Sequence, residues 1–303
     1  MFADRIGEFA ALGTALCWTI TALSFESAGR KIGSLAVNIL RLAIACLLFA
    51  AYGWIVRGVA LPFDVSAGDW GWLALSGLAG FVIGDLLLFQ AFVLIGARVS
   101  MLIYASVPPL TALLARMVLD ERLSALGLAG MALTLAGIVL VVLKRRRAES
   151  GGEDGHGPSA WIRGVLFAFG GALGQAGGLI LGRIGAGVDM DPFAATQIRA
   201  LAGVLGFAVV FTILGRWRLV GRGLRNRPAM ARLSLGALFG PFLGVSLGLF
   251  AAQNTSAGIA STIMALVPVL IIVPSVVVFK ERVTAREVAG ALIAVSGVSL
   301  LFL

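Results

Sequence analysis

Few residues of this 303-residue chain are equipped for chemistry, and those few lie where water should be scarce. Asp85 sits inside the run Phe81-Val82-Ile83-Gly84-Asp85-Leu86, and Arg41 and Arg199 sit inside two other apolar runs. A charge in hydrocarbon is costly unless it is paired, hydrated or neutralised by a proton, so such residues mark clamps, substrate contacts or proton-coupling groups. If the runs of Arg41 and Asp85 are antiparallel helices, the two residues reach a similar depth and can pair. That pair reads either as a structural clamp or as part of a site, with Asp85 as a coupling carboxylate or substrate contact. Glu26 for Arg41, and Asp189 or Asp191 for Arg199, are further partners near the same ends. Recognition of a substrate carboxylate is the alternative role for these arginines.

Catalysis finds little support. The single histidine, His156, lies in a polar stretch far from any apolar serine, and only one aspartate is deep enough for an intramembrane aspartyl pair. Cys17 and Cys46 lie in apolar runs as filler, and neither a Cys/His metal cluster nor a phosphate-cradling loop is visible. The expectation is no enzyme, no cofactor and no metal. An intramembrane enzyme and a non-transporting membrane scaffold stand as alternatives of another class.

The elements that must hold these residues follow from composition. Hydrophobic residues make up 59% of the chain and charged residues 13%, and the mean hydropathy is +1.01. A soluble fold of this size needs far more charge on its surface. Stretches of about 20 apolar residues cross a hydrocarbon core as helices. Ten are present, at roughly 6–25, 34–56, 70–90, 97–118, 123–143, 161–183, 193–215, 230–252, 256–279 and 284–303. The expectation is an all-α, multi-pass protein of a bacterial inner membrane. The first run carries Glu8 and Glu26 and has no basic leader, so it reads as a span rather than a cleaved signal. The net charge of +9 sits at the ends of the runs, as membrane topology requires, and does not read as a nucleic-acid patch.

The chain is also internally duplicated. Residues 97–143 recur at 257–303, always 160 positions later and without a gap. Pro108 recurs as Pro268, Glu121-Arg122 as Glu281-Arg282, and Gly80 and Gly84 as Gly240 and Gly244. This divides the chain into a first repeat (1–143), a polar linker (144–160, KRRRAESGGEDGHGPSA) and a second repeat (161–303). Five spans return the chain to the opposite side, so the second copy must insert inverted, related to the first by a pseudo-two-fold axis in the membrane plane. Seventeen Lys and Arg flank the odd-numbered connections and five the termini and even-numbered ones. The positive-inside rule then places both termini outside.

Glycine spacing indicates how the helices pack. Gly170, Gly174, Gly178 and Gly182 form one ladder, and Gly236, Gly240, Gly244 and Gly248 another. In lipid such faces let backbones approach closely, and they can also slide. Pro108, Pro109, Pro241, Pro268 and Pro274 fall inside runs and mark bends. Ser124 and Thr284 read as helix N-caps, Thr284 with Glu287 as a capping box.

Ala15-Leu16-Cys17-Trp18, Arg41, and Ala105-Ser106-Val107-Pro108 followed by Asp120-Glu121-Arg122 resemble the drug/metabolite transporter superfamily. Ala265-Leu266-Val267-Pro268 followed by Lys280-Glu281-Arg282 repeats the signature, and the whole chain is similar to the EamA-type ten-helix carriers. The resemblance implies export or exchange of a small metabolite, such as an amino acid, by alternating access. It implies a central cavity lined by helices 1, 3, 4, 6, 8 and 9, and termini in the cytoplasm, opposite to the charge count. Trp18, Gln90, Tyr104, Gln175, Gln253 and Asn254 then join Asp85 and Arg41 as site candidates, offering stacking surface and neutral hydrogen bonds. Trp18 and Gln175 match when the first and sixth runs are aligned through Ala15 and Ala172. Pro108, Glu121, Pro268 and Glu281 form the structural repeat motif. The expected partners are a small-molecule substrate and membrane lipid, in a monomer or weak homodimer.

Overall fold

A computed structural model describes residues 5–118, 120, 124–149, 158–186, 190–255, 260, 263–280 and 283–301; for 143–149, 158, 252, 278, 279 and 301 it describes the backbone path alone. Glu121, Glu281, His156 and Asp189 lie outside the described residues. The described elements are helical: α1 (Ile6–Ile32), α2 (Ser34–Arg57), α3 (Ala67–Ile95), α4 (Ala97–Val118), α5 (Ala125–Glu149), α6 (Pro158–Ala186), α7 (Pro192–Leu214), α8 (Arg227–Ala251), α9 (Val267–Val277) and α10 (Ala285–Leu301). Among the described residues, eight of them, α1 to α8, are long and apolar enough to cross a membrane. The backbone of α5 runs on through the basic cluster to Glu149, and α6 begins at Pro158, so helix enters both ends of the polar linker.

The duplication is written into the backbone. Each half contains a π-helical turn, Leu78–Gly84 within α3 and Leu238–Gly244 within α8, exactly one repeat apart in numbering. A π turn holds an extra residue and loosens the i to i−4 ladder, and Pro241, which lacks an amide donor, fits into one. Among the described residues, two non-glycine residues adopt positive φ, Asp120 (55°) and Lys280 (54°), again at equivalent positions. The helices break at Ala105-Ser106 and at Ala265-Leu266, so Pro108 and Pro268 enter the first turn of the next helix, where no donor is needed. Capping follows the sequence expectation: Gly127 N donates to Ser124 Oγ at 2.9 Å, and Thr284 N donates to Glu287 Oε2 at 2.8 Å.

The two halves interlock rather than stand side by side. α3 packs on α6, and its counterpart α8 packs on α1. Ser76 Oγ of α3 donates to the Gly178 carbonyl at 2.6 Å, and the equivalent positions meet in the other crossing, where Thr21 Oγ1 donates to the Gly236 carbonyl at 3.4 Å. α5 packs on its own copy α10, and Thr134 Oγ1 reaches the carbonyl of Ala294, its counterpart, at 3.4 Å. Thr134 thus meets the residue that occupies its own place in the second copy. These seams are built on glycine: a Cβ on Gly174 would lie 2.7 Å from Gly84 Cα, and one on Gly178 would lie 3.0 Å from Gly80 Cα. Backbones this close make many dispersion contacts, which replace hydrophobic burial between helices in lipid.

The structure sharpens two places. α3 and α4, expected as separate runs at 70–90 and 97–118, are parted at the single residue Gly96, whose φ of 79° and ψ of 155° suit glycine alone. The arginine-rich stretch after α7 folds into a short helix, Trp217–Arg225, whose Gly223 is buried against α2 while Trp217 and Leu224 stay exposed.

Candidate functional site

The π turn of α3 delivers its strand of backbone to a polar centre. Asp85 follows it directly and is only 7% exposed. Gly80 and Gly84 press this turn onto α6: a Cβ on Gly84 would lie 3.1 Å from the Gln175 amide nitrogen. From the other side α2 brings Arg41, whose Nη2 donates to Asp85 Oδ2. Asn38, one turn earlier, ties α2 to the same place by donating from Nδ2 to the Asp85 carbonyl at 3.2 Å.

Aromatic rings wrap this ion pair. The Arg41 guanidinium carbon stands 4.6 Å from the Phe89 ring centroid, 5.5 Å from Phe81 and 5.7 Å from Phe25. Phe81 and Phe89 are four residues before and after Asp85, so one face of α3 carries both rings and the carboxylate. That spacing was present in the sequence, and it is the signal that would have found these rings. Arg199 of α7 approaches Phe81 from elsewhere, with its guanidinium carbon 4.8 Å from the ring centroid. Arg199 is 7% exposed, and its Nε and Nη2 find no hydrogen-bond partner among the described residues.

Beside the pair lies a cavity of about 80 Å³. At roughly 10–15 Å³ per water, that is room for about six waters or one small organic group. α1 contributes Trp18 and Phe25, α2 Arg41, α3 Asp85, α4 Tyr104 and α6 Gln175 to its wall, and α8 closes it with Gly240, Pro241 and Val245. Five of the eight candidates from the sequence, Asp85, Arg41, Trp18, Tyr104 and Gln175, therefore share one cavity. Among the described residues, its lining draws on α2, which the resemblance did not imply, and not on α9, which it did. Trp18 and Gln175 occupy equivalent places, since Gly244 abuts the Trp18 ring as Gly84 abuts the Gln175 backbone.

The other three candidates lie elsewhere. Gln90 Oε1 accepts from Ser34 Oγ at 2.6 Å, Gln253 Nε2 donates to the Met190 carbonyl at 3.0 Å, and Asn254 Nδ2 donates to the Phe250 carbonyl at 2.9 Å. These are local ties at helix ends. Two expected ion pairs are also corrected. Glu26 serves Arg30, at 2.6 Å, and the Ala97 amide, at 2.9 Å, rather than Arg41. Asp191 accepts from the Phe193 amide at 3.1 Å as an N-cap and lies 3.8 Å from Arg57, so it is no partner for Arg199. Pro268 sits apart from the main cavity, near Arg98 and Glu287, whose side chains approach to 3.6 Å and link α4 to α10.

Comparison with known proteins adds a family match. The family model described as "EamA-like transporter family" covers residues 5–143 and 162–303, two stretches separated by the polar linker. Among solved structures 22 chains match. One, titled "Crystal structure of protein", aligns with a TM-score of 0.62 at 20% identity, over 98% of this chain and 95% of its own, which establishes a shared fold. No curated protein matches significantly.

Proposed function

Because the chain belongs to the EamA-like transporter family, and so to membrane transporters of small molecules, we propose that it is a secondary carrier. It works by alternating access, without ATP, and exports or exchanges a small polar or amphipathic metabolite such as an amino acid across a bacterial inner membrane. In this reading α9 and α10 complete ten spans, as two inverted five-helix repeats joined by the polar linker. The substrate meets Asp85 and Arg41, with Trp18, Tyr104 and Gln175 around it.

One observation carries the reading: a buried ion pair borders a cavity at the crossing where helices of the two halves interlock. Rocking one half against the other opens such a crossing to either side while the site stays in place. The glycine seams of α3 on α6 and of α8 on α1 are the surfaces available for that motion.

The test is solute counterflow in proteoliposomes holding the full chain, using labelled amino acids and organic acids. The expected result is saturable exchange of a subset, lost in Asp85→Asn and in Arg41→Gln. Exchange no faster than in protein-free vesicles for every solute, with correctly inserted protein, would leave the scaffold alternative standing. Terminal tags provide the topological check: ten spans require both ends on one side, and the charge count puts that side outside the cell.

A further inference from the structure

The polar groups at the centre are unbalanced, and the imbalance has a sign. Arg41 and Arg199 each carry five N–H donors and no acceptor. Both are buried, at 3% and 7% exposure. Asp85 is the carboxylate whose field reaches both of them, and its hydrogen bond goes to Arg41. Arg41 Nε, Arg199 Nε and Arg199 Nη2 are buried with no acceptor among the described residues. The nearest glutamate in sequence on α1, Glu26, is engaged by Arg30 and the Ala97 amide. Among the described residues, two guanidiniums thus share one carboxylate in a low-dielectric setting where an uncompensated charge is strongly unfavourable.

The origin of the surplus lies in the duplication. Arg41 and Arg199 hold matching places in α2 and α7, whereas the position equivalent to Asp85, directly after the π turn of α8, is Val245. At this one position the first repeat has a carboxylate and the second a valine. Arg199 is not itself part of the cavity wall but stands directly behind it: Phe81, over which it sits, lines the cavity, and the point 3.5 Å from its Nη2 where a Gly80 Cβ would be is 3.0 Å from Gln175 Oε1, another lining residue.

Resting on the carrier reading of this same site, we propose that the substrate is an organic anion: one carboxylate on an apolar body, with the carboxylate recognised by Arg199. A carboxylate only accepts hydrogen bonds and matches the guanidinium fork in two parallel bonds. It supplies both the charge and the acceptors that Arg199 lacks. The apolar body lies against Trp18, Phe25 and Phe81, which line the same cavity. A cationic solute would meet two arginines against a single, already engaged carboxylate. An amine on the substrate is neither required nor the recognised group.

Two measurements on the purified full chain test this. The first needs no ligand. Arg199→Gln removes an unmatched buried charge and should raise the melting temperature, whereas Arg41→Gln breaks a matched pair and should lower it. A fall with Arg199→Gln overturns the proposal, because it would show Arg199 already satisfied by the fold. The second uses matched probes in binding and counterflow: 3-phenylpropionate, phenylalanine, phenylalanine amide and 2-phenylethylamine, with 4-methylpentanoate, leucine and leucinamide. The carboxylate members of at least one series should bind, the amide and amine should not, and Arg199→Gln should weaken binding by about 10- to 100-fold, as loss of a charge-assisted hydrogen bond does. Arg199→Lys should recover part of that loss. Carboxylates that bind Arg199→Gln unchanged, or no binding by any carboxylate, overturn the proposal. Exchange of the amine or amide instead would overturn it while leaving the carrier reading intact. No exchange of any solute would remove the carrier reading and this proposal together.

Discussion

Asp85 and Arg41 form the pair on which the centre of the protein is built, and a double-mutant cycle measures how strongly they depend on each other. Their side chains are 10% and 4% exposed. Removing one partner of such a pair typically costs about 3–5 kcal/mol, most of it the penalty for the charge left behind. Here Arg41 keeps the faces of Phe25, Phe81 and Phe89, all within 6 Å of its guanidinium carbon. Ring faces return on the order of 1 kcal/mol or more to a desolvated cation. Asp85→Asn also retains an amide oxygen that can accept from Arg41. The expected loss is therefore about 2–4 kcal/mol for Asp85→Asn, and greater for Asp85→Leu. Arg41→Gln leaves Asp85 without its donor, and no ring can stabilise a bare carboxylate, so its loss should exceed that of Asp85→Asn. The double variant Asp85→Asn with Arg41→Gln should be less destabilised than the sum of the singles, by about 1.5 kcal/mol or more. Reversible unfolding in mixed detergent micelles, followed by intrinsic tryptophan fluorescence, supplies the four numbers. A cycle that closes with additive losses would show that the two residues do not act as a pair, and a parent-like Asp85→Asn would show that the carboxylate does not matter to stability.

Two contrasts test the packing. On α6, Gly174→Ala sets a methyl 2.7 Å from Gly84 Cα and should reduce the yield of monodisperse protein, whereas Gly177→Ala meets nothing within 4 Å and should be neutral or slightly stabilising in size-exclusion and melting assays. At the junction of α3 and α4, Gly96→Ala forces an L side chain into a φ of 79° and ψ of 155° and should cost about 1–3 kcal/mol in the same unfolding assay.

What the sequence made legible is mostly what duplication and small residues can encode. Gly80 and Gly84 recurring as Gly240 and Gly244 fall in the two π turns, although the π geometry itself was not legible, and Pro108 recurring as Pro268 marked two bends that prove to be helix breaks. The alignment of Trp18 with Gln175 rested on small neighbours that the crossings require to be small. Depth was legible too, since Asp85 and Arg41 had few other places to find a counter-charge. Partner choice among several nearby groups was not. Asp191 stood close to Arg199 in sequence, but a helix N-cap used it first, and no pattern reveals that competition in advance. The separation of α3 from α4 was legible as the gap between the runs 70–90 and 97–118, but its sharpness was not: α3 stays helical to Ile95 and the chain turns at Gly96 alone. The helix Trp217–Arg225 read as a basic loop because arginine clusters at span ends are expected on topological grounds alone. Gln90, Gln253 and Asn254 failed to join the cavity for a common reason: amides at helix ends are drawn to unmet carbonyls and hydroxyls nearby.

Scaffold and site obey different rules in this molecule. The backbone repeats down to individual turns, while the charges do not: the place of Asp85 is held by Val245 in the second half, and Arg41 has a carboxylate partner where Arg199 Nε and Nη2 have no acceptor among the described residues. That asymmetry can be removed by one substitution. Val245 lies directly after the π turn of α8, as Asp85 does in α3, and it lines the same cavity. Val245→Asp should therefore place a carboxylate toward Arg199 as Asp85 is placed toward Arg41. A valine-to-aspartate change inside an apolar span normally destabilises by several kcal/mol, since it buries a charge without a counter-ion. Here the counter-ion is waiting, so the expected loss is small or reversed, and adding Arg199→Gln to Val245→Asp should restore the full penalty. Carboxylate binding should disappear at the same time, because the protein's own aspartate occupies the guanidinium. A Val245→Asp protein that unfolds readily regardless of the residue at 199 would show that the two positions do not meet across the cavity, and the case for a surplus arginine awaiting an anion would lose its structural basis.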